Sequence, residues 1–291
     1  MIPLPRALVL ALGFYFGIPV VQISGTLQGQ IAPTDSILAI AHTLFTEASI
    51  LANQGHQDEA ESKLQRVLDI REKALGLDHP DVALALHNLG FIYNAQGRYA
   101  EAEPLLRRAL IIREAALGPQ HLEVALTLNS LAFTYGVRSR YEEAEPLYER
   151  ALAIDEIVLG PNHLEVAHVL SNLGMLYDDL DRYIEARSVY ERVLAIRETV
   201  LGLGHPDVAD ALINLASLYH HQELYAEAIP LYRRSLDIRK VEFGPEHSDT
   251  GLALENLILA CELFFALPYI AQEQQSITAP ESMTVLCRPS P

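Results

Sequence analysis

Five histidines, His79, His121, His163, His205 and His247, stand 42 residues apart. Gly76, Gly118, Gly160, Gly202 and Gly244 keep the same step, and so do Leu89, Leu131, Leu173, Leu215 and Leu257. A fixed period between about 20 and 50 residues restricts a chain to a stacked-repeat architecture. Each unit is then too small to bury a core alone and does so against its neighbours. Length alone would suggest one or two domains for 291 residues. The period replaces that count with one quasi-linear array.

Residues 81–118 serve as the type unit. Val82, Leu86, Leu89 and Tyr93 fall on one face of a helix. Pro80 suits the first helical turn, and Asp81 suits the positive end of the helix dipole. Gln96-Gly97-Arg98 breaks the pattern, because glycine supplies the left-handed residue that a helix end needs. A second helix is expected from about Tyr99 to Leu117, with Ala102, Leu105, Leu106, Ala109, Leu110 and Ile112 as its apolar stripe. Gly118 ends it. Each repeat is therefore an antiparallel pair, a first helix A and a second helix B. Pro104, Pro146 and Pro230 lie early in helix B, where a slight bend rather than a break is expected.

At these residues the chain resembles the tetratricopeptide repeat family. Leu86, Leu89-Gly90, Tyr93, Ala102, Leu106 and Ala109 match its signature of bulky, Leu-Gly, Tyr, then Ala, bulky, Ala. The 42-residue period, Ala102-Glu-Pro-Leu-Leu-Arg-Arg-Ala-Leu110 and Ile112-Arg-Glu-Ala-Ala-Leu-Gly118 resemble the kinesin-light-chain type. The resemblance implies an all-α fold, a right-handed α-solenoid of stacked antiparallel helix pairs. Five pairs and a final single helix are expected over 36–266. The first repeat is the poorest copy, with Glu47 and Ala48 in place of Leu-Gly and Leu51 in place of Tyr. The final helix, about Ser248 to Ala266, has little polar face, and Leu267-Pro268 interrupts the chain after it.

The ends differ from the array. Residues 1–25 carry a basic start and the apolar run Ala7 to Val21, the pattern of a secretory signal peptide. The alternatives are a membrane anchor or an apolar helix packed on the first repeat. An exported or periplasmic location is expected, or attachment to a membrane through this segment. Residues 26–35 read as a linker, and 267–291, rich in Gln, Ser and Pro, as a disordered tail. Two cysteines, Cys261 and Cys287, give neither a disulfide framework nor zinc-ligand spacing.

Charge and motifs exclude several functions. A net charge of -17 opposes phosphate backbones and anionic lipid, so nucleic acid is not an expected partner. There is no Gly-rich phosphate loop and no Gly-x-Ser-x-Gly elbow. The periodic histidines, one per repeat, would lie about 10 Å apart, too far to share a metal. They are expected to cap or brace the junctions. No catalyst, cofactor, metal or small-molecule substrate is expected.

In tetratricopeptide proteins the A helices line a concave groove, and the resemblance assigns groove positions here. Asn88, Asn172, Asn214 and Asn256 share one register, with Ser130 in the gap and Asn129 beside it. Such a ladder could pair with an extended peptide backbone, or brace neighbouring repeats. Phe91, Phe133 and Met175 suggest an apolar floor, while Asp179, Asp210 and His221 suggest an acidic, His-bearing wall. The expected function is a non-enzymatic scaffold that binds a protein or peptide in the groove. The alternative is an accessory or self-assembling subunit that acts through its apolar C-terminal end, by end-to-end association, or through its convex face.

Overall fold

The structure, a computed structural model, describes residues 33–267 and 284–287. The expected signal segment 1–25 lies outside them, as does most of 267–291. Eleven long helices follow one another, with no strand among the described residues. They are α1 (Pro33–Asn53), α2 (Gln57–Leu75), α3 (Pro80–Ala95), α4 (Tyr99–Leu117), α5 (Leu122–Gly136) and α6 (Tyr141–Leu159). Then come α7 (Leu164–Asp179), α8 (Tyr183–Leu201), α9 (Pro206–His221), α10 (Tyr225–Phe243) and α11 (Ser248–Ala266). The chain is an all-α solenoid of consecutive helix pairs. The first helix begins at Pro33, three residues before the expected start of the array. Helices α4, α6 and α10 run through Pro104, Pro146 and Pro230.

Two compact units divide the chain between Ile154 and Asp155. In the first unit α1 packs on α2, α2 on α3, α3 on α4 and α4 on α5. In the second α7 packs on α8, α8 on α9, α9 on α10 and α10 on α11.

The junction signals act as expected. Nδ1 of His79, His121, His163, His205 and His247 accepts the backbone N–H of Asp81, Glu123, Glu165, Asp207 and Asp249 at 3.1–3.2 Å. Each imidazole thus satisfies one orphan donor at the start of an A helix, the task usually given to Ser, Thr, Asp or Asn. Before it, Gly118 closes helix B at φ 88°, and its equivalents lie at 85–90°. The A-to-B turn uses Gly55 and Gly97 in the first two repeats, but Ser139, Asp181 and Glu223 take the same left-handed conformation in the next three.

Helix pairs interlock through a register of small residues. Ala48, Gly90, Ala132, Gly174 and Ala216 occupy it in the first five A helices. A Cβ added at Gly90 would lie 2.8 Å from Leu106 Cγ, and one added at Gly174 would lie 2.6 Å from the Tyr190 ring. Around them Ala102, Leu106, Ala109, Ala186 and Val193 are fully buried.

A second register fixes the corner between helix B and the next helix A. Arg71, Arg113, Arg197 and Arg239 are each at most 7% exposed. Their guanidinium groups donate to the carbonyl oxygens of Asp81, Glu123, Asp207 and Asp249 at 2.8–3.1 Å. Burial pulls the pKa of Arg71, Arg113 and Arg197 down, and the acid at the receiving helix start pushes it back up. A cation beside the positive end of a helix is unfavourable, and these acids offset it. Asp155 occupies this register in the middle repeat. It is 6% exposed and sits beside Glu165, and burial followed by that neighbour pushes its pKa up to about 7.

Two predictions follow from these registers. Gly174→Ala should cost no more than about 1 kcal/mol, because Ala216 is paired with Tyr232 in the next repeat and alanine favours helix. Gly174→Ile should cost about 3 kcal/mol or more, read by denaturant titration. The second prediction concerns pH. Asp155 keeps its proton to about 7 when folded, but only to about 4 when unfolded. The folded chain binds more protons in that window, so this group's stabilisation is lost as pH rises from about 4 to 7. Asp155→Asn should remove that slope and stabilise the chain at pH 8 by about 1–3 kcal/mol. Thermal melts across pH, compared with wild type, give the difference. An unchanged slope in the variant would contradict the assignment.

Candidate functional site

The residues expected in the groove lie on the A helices, beside the buried registers. In the first unit Asn88, Phe91, Asn129 and Phe133 are half-buried. The Asn88 amide donates to the Leu84 carbonyl at 2.8 Å, one turn back on its own helix. Ser130 does the same to Leu126 at 3.1 Å. These two side chains therefore spend a donor on their own helix rather than on a neighbouring repeat. Asn88 and Phe91 line a shallow crease with Ala48, Ser49, Ala52, Leu64 and Ile92. Its walls are too close together to seat even a water molecule. That geometry suits a surface contact better than an enclosed small ligand.

In the second unit Asn172, Met175, Asn214 and Asn256 are half-buried, and Asp179 is exposed. The expected acidic wall is more structured than a row of open charges. Asp210 is engaged by Arg239 at 2.6 Å, so its charge is spent on the corner beneath it. His221, exposed, stands with Nδ1 2.8 Å from Asp178 Oδ2. The other carboxylate oxygen of Asp178 is buried without a hydrogen-bond partner among the described residues. His168 and His220 are half-buried, and burial pulls both pKa values down. The Arg197 charge adds to this for His168, and the adjacent His221 ring does so for His220. The His220 ring meets Tyr225 edge-on at 5.3 Å. His221 is thus held by a largely buried Asp178. Among the described residues no three His, Cys, Asp or Glu side chains come together to hold a metal.

Sequence reasoning missed a buried amide that joins two repeats. Asn94, 4% exposed, donates to Thr134 Oγ1 at 2.9 Å and accepts from the same hydroxyl at 3.1 Å. It lies one residue beyond Tyr93, in a register filled elsewhere by Ala52, Gly136, Asp178, His220 and Glu262. From the second repeat on, that register holds no aliphatic side chain, which was the available signal. The buried His87 was missed too. Its Nδ1 has no hydrogen-bond partner among the described residues, and burial, then the Arg113 charge, hold its pKa well below the usual imidazole range.

The family model for the tetratricopeptide repeat matches residues 39–115, 81–156, 123–199 and 207–263. No curated protein matches the chain. Among solved structures, a kinesin light chain with nearly identical TPR-like repeats from Podosopora anserina is 25% identical. The alignment covers 71% of this chain and 98% of that one, with a TM-score of 0.59. BtubC (BKLC) from P. vanneervenii is 19% identical, covering 89% and 95% of the two chains with a TM-score of 0.57. The apo form of RapI is 17% identical, covering 81% and 79%, with a TM-score of 0.63. The last two share the fold alone. With more than half of its residues inside matched repeats, the chain belongs to the tetratricopeptide repeat family, and its repeats are like those of kinesin light chains.

Proposed function

We propose that this chain is a non-enzymatic scaffold that binds a protein or an extended peptide along the A-helix face of its repeats. Tetratricopeptide repeat stacks are in general protein-interaction scaffolds. The observation that carries the finer reading is the recurrence of a half-buried Asn at one repeat position, Asn88 in the first unit and Asn172, Asn214 and Asn256 in the second. Each sits one residue before a buried leucine, yet stays open to solvent. An amide offers both a donor and an acceptor, so a row of them suits a peptide backbone whatever its side chains. Phe91 and Phe133 in the first unit, and Met175 in the second, lie one turn on from this register and would receive apolar anchors. The net charge of -17 favours a partner with a basic segment. Carboxylate capture by groove cations is not part of this reading, because those registers carry acids, amides and apolar residues.

A second reading places the contact at the C-terminal end. Leu252, Ile258, Leu259 and Phe265 on α11 are each about half exposed. Such a cluster would suit an accessory subunit or end-to-end association. We further propose that the protein is exported. The apolar N-terminal run supports this, and so does the pairing of both cysteines in one disulfide.

The two contact readings separate in one experiment. Full-length chain and a variant with Asn88, Asn172, Asn214 and Asn256 changed to Ala serve as baits on native extract, with circular dichroism as a control of folding. The A-face reading expects a partner that is held by the first bait and lost from the second, at least tenfold by quantitative mass spectrometry. Equal retention would contradict it and move the contact to α11 or the B helices.

A further inference from the structure

The small-residue register that lets helix B approach helix A ends at α11. Ala48, Gly90, Ala132, Gly174 and Ala216 give way there to Ile258, 46% exposed. At Gly90 and Gly174 even one added carbon would require Leu106 or Tyr190 to shift, and no earlier residue of this register is larger than alanine. A helix packed in the usual way against α11 would meet three carbons beyond the Cβ. The position is therefore closed to an ordinary B helix.

A short strap packs on α10 and α11 beside this position and leaves Ile258, Leu259 and Phe265 about half exposed. Residues 284–287 form one helical turn, although the sequence places them in a disordered tail. Leu286 and Cys287 pack on the apolar cluster that contains Cys261 and Phe264. Nε of Arg233 on α10 donates to the Leu286 carbonyl at 2.8 Å. Cys261 Sγ is bonded to Cys287 Sγ. Cys261 stands in the register that holds Tyr93, Tyr135, Tyr177 and Tyr219 in the preceding A helices. A sulfur anchor thus replaces the ring that fills this layer elsewhere. Ordering four residues costs more than half-burying one leucine and one sulfur returns, so the covalent bond is what keeps the strap in place.

We propose that Cys261–Cys287 is a thiol–disulfide exchange site that works as a latch. Oxidised, it holds residues 284–287 against α10 and α11. Reduced by a dithiol, it releases the strap and uncovers the layer around Cys261 and Phe264. The attacking thiolate meets Cys287, because Cys287 is half-buried and Cys261 is 7% exposed. A bond forms between the reductant and the Cys287 sulfur. The Cys261–Cys287 bond breaks, and Cys261 leaves as a thiolate that takes up a proton. The second thiol of the reductant loses its proton and attacks its own partner sulfur in the mixed disulfide. Cys287 leaves and is protonated. The protein gains two thiols and the dithiol becomes a disulfide. The apolar surroundings of Cys261 disfavour its thiolate, so the latch should resist monothiols.

Hydrogen exchange read by mass spectrometry tests this on the full chain. Three samples are compared: oxidised wild type, wild type with dithiothreitol, and Cys261→Ser/Cys287→Ser. The latch predicts exchange at least tenfold faster over 257–267 and 284–287 in the last two samples, with α1 to α5 unchanged. The reduced wild type keeps both native residues, so it stands even if the double variant folds poorly. Equal protection in oxidised and reduced wild type would overturn the proposal. So would complete alkylation of both cysteines before reduction, or a loss of protection spread evenly through α1 to α5.

Discussion

The repeats turn their corners on a buried guanidinium. Arg71, Arg113, Arg197 and Arg239 each cross from the end of one B helix to a backbone carbonyl in the first turn of the next A helix. A guanidinium hydrogen bond is among the stronger single polar contacts, and removing one partner from a buried pair costs far more than the pair gains. The corner therefore tolerates little change. The histidine cap at the same junction ties the start of that A helix, and the left-handed glycine before it sets the path of the chain. Burial of the alanine and leucine stripes supplies most of the favourable free energy, but it is non-directional. Direction comes from the arginine, the histidine and the small-residue register.

This view makes the exceptions informative. Asp155 inverts the charge at one corner and faces Glu165 instead of donating to its carbonyl. Leu224 stands where Arg98 and Arg140 clasp Glu101 and Glu143, and Glu227 there keeps a buried oxygen without a partner. Ile258 ends the register that accepts helix B. All three departures fall in the second unit. The first unit is the more regular in its interior, apart from the weak first repeat.

Most of the architecture was legible because the determinants are periodic. Helix pairs, turn glycines, capping histidines and tolerated prolines all follow from spacing and local propensity. The polar contacts between repeats were less legible. Arg113 reads as one more charge on a B helix, because nothing in its own neighbourhood of sequence tells which carbonyl lies 10 residues on. Asn94 was hidden behind the more conspicuous Asn88 register, although Asn94 is the buried one and Asn88 bonds to its own helix. Asp210 reads as an open acid until Arg239 is placed beside it. The disulfide was missed because two cysteines 26 residues apart carry no framework signal, and only the packing of α11 brings them together.

The functional reading rests on which face of the helices meets a partner. A photoreactive residue placed at Met175, on the A-helix row, and another at Ile157, 76% exposed on α6, compare the two faces directly. Each is introduced singly into the full chain and irradiated in native extract. The account predicts a crosslinked partner from position 175 and none from 157. A partner captured from 157 alone would contradict it.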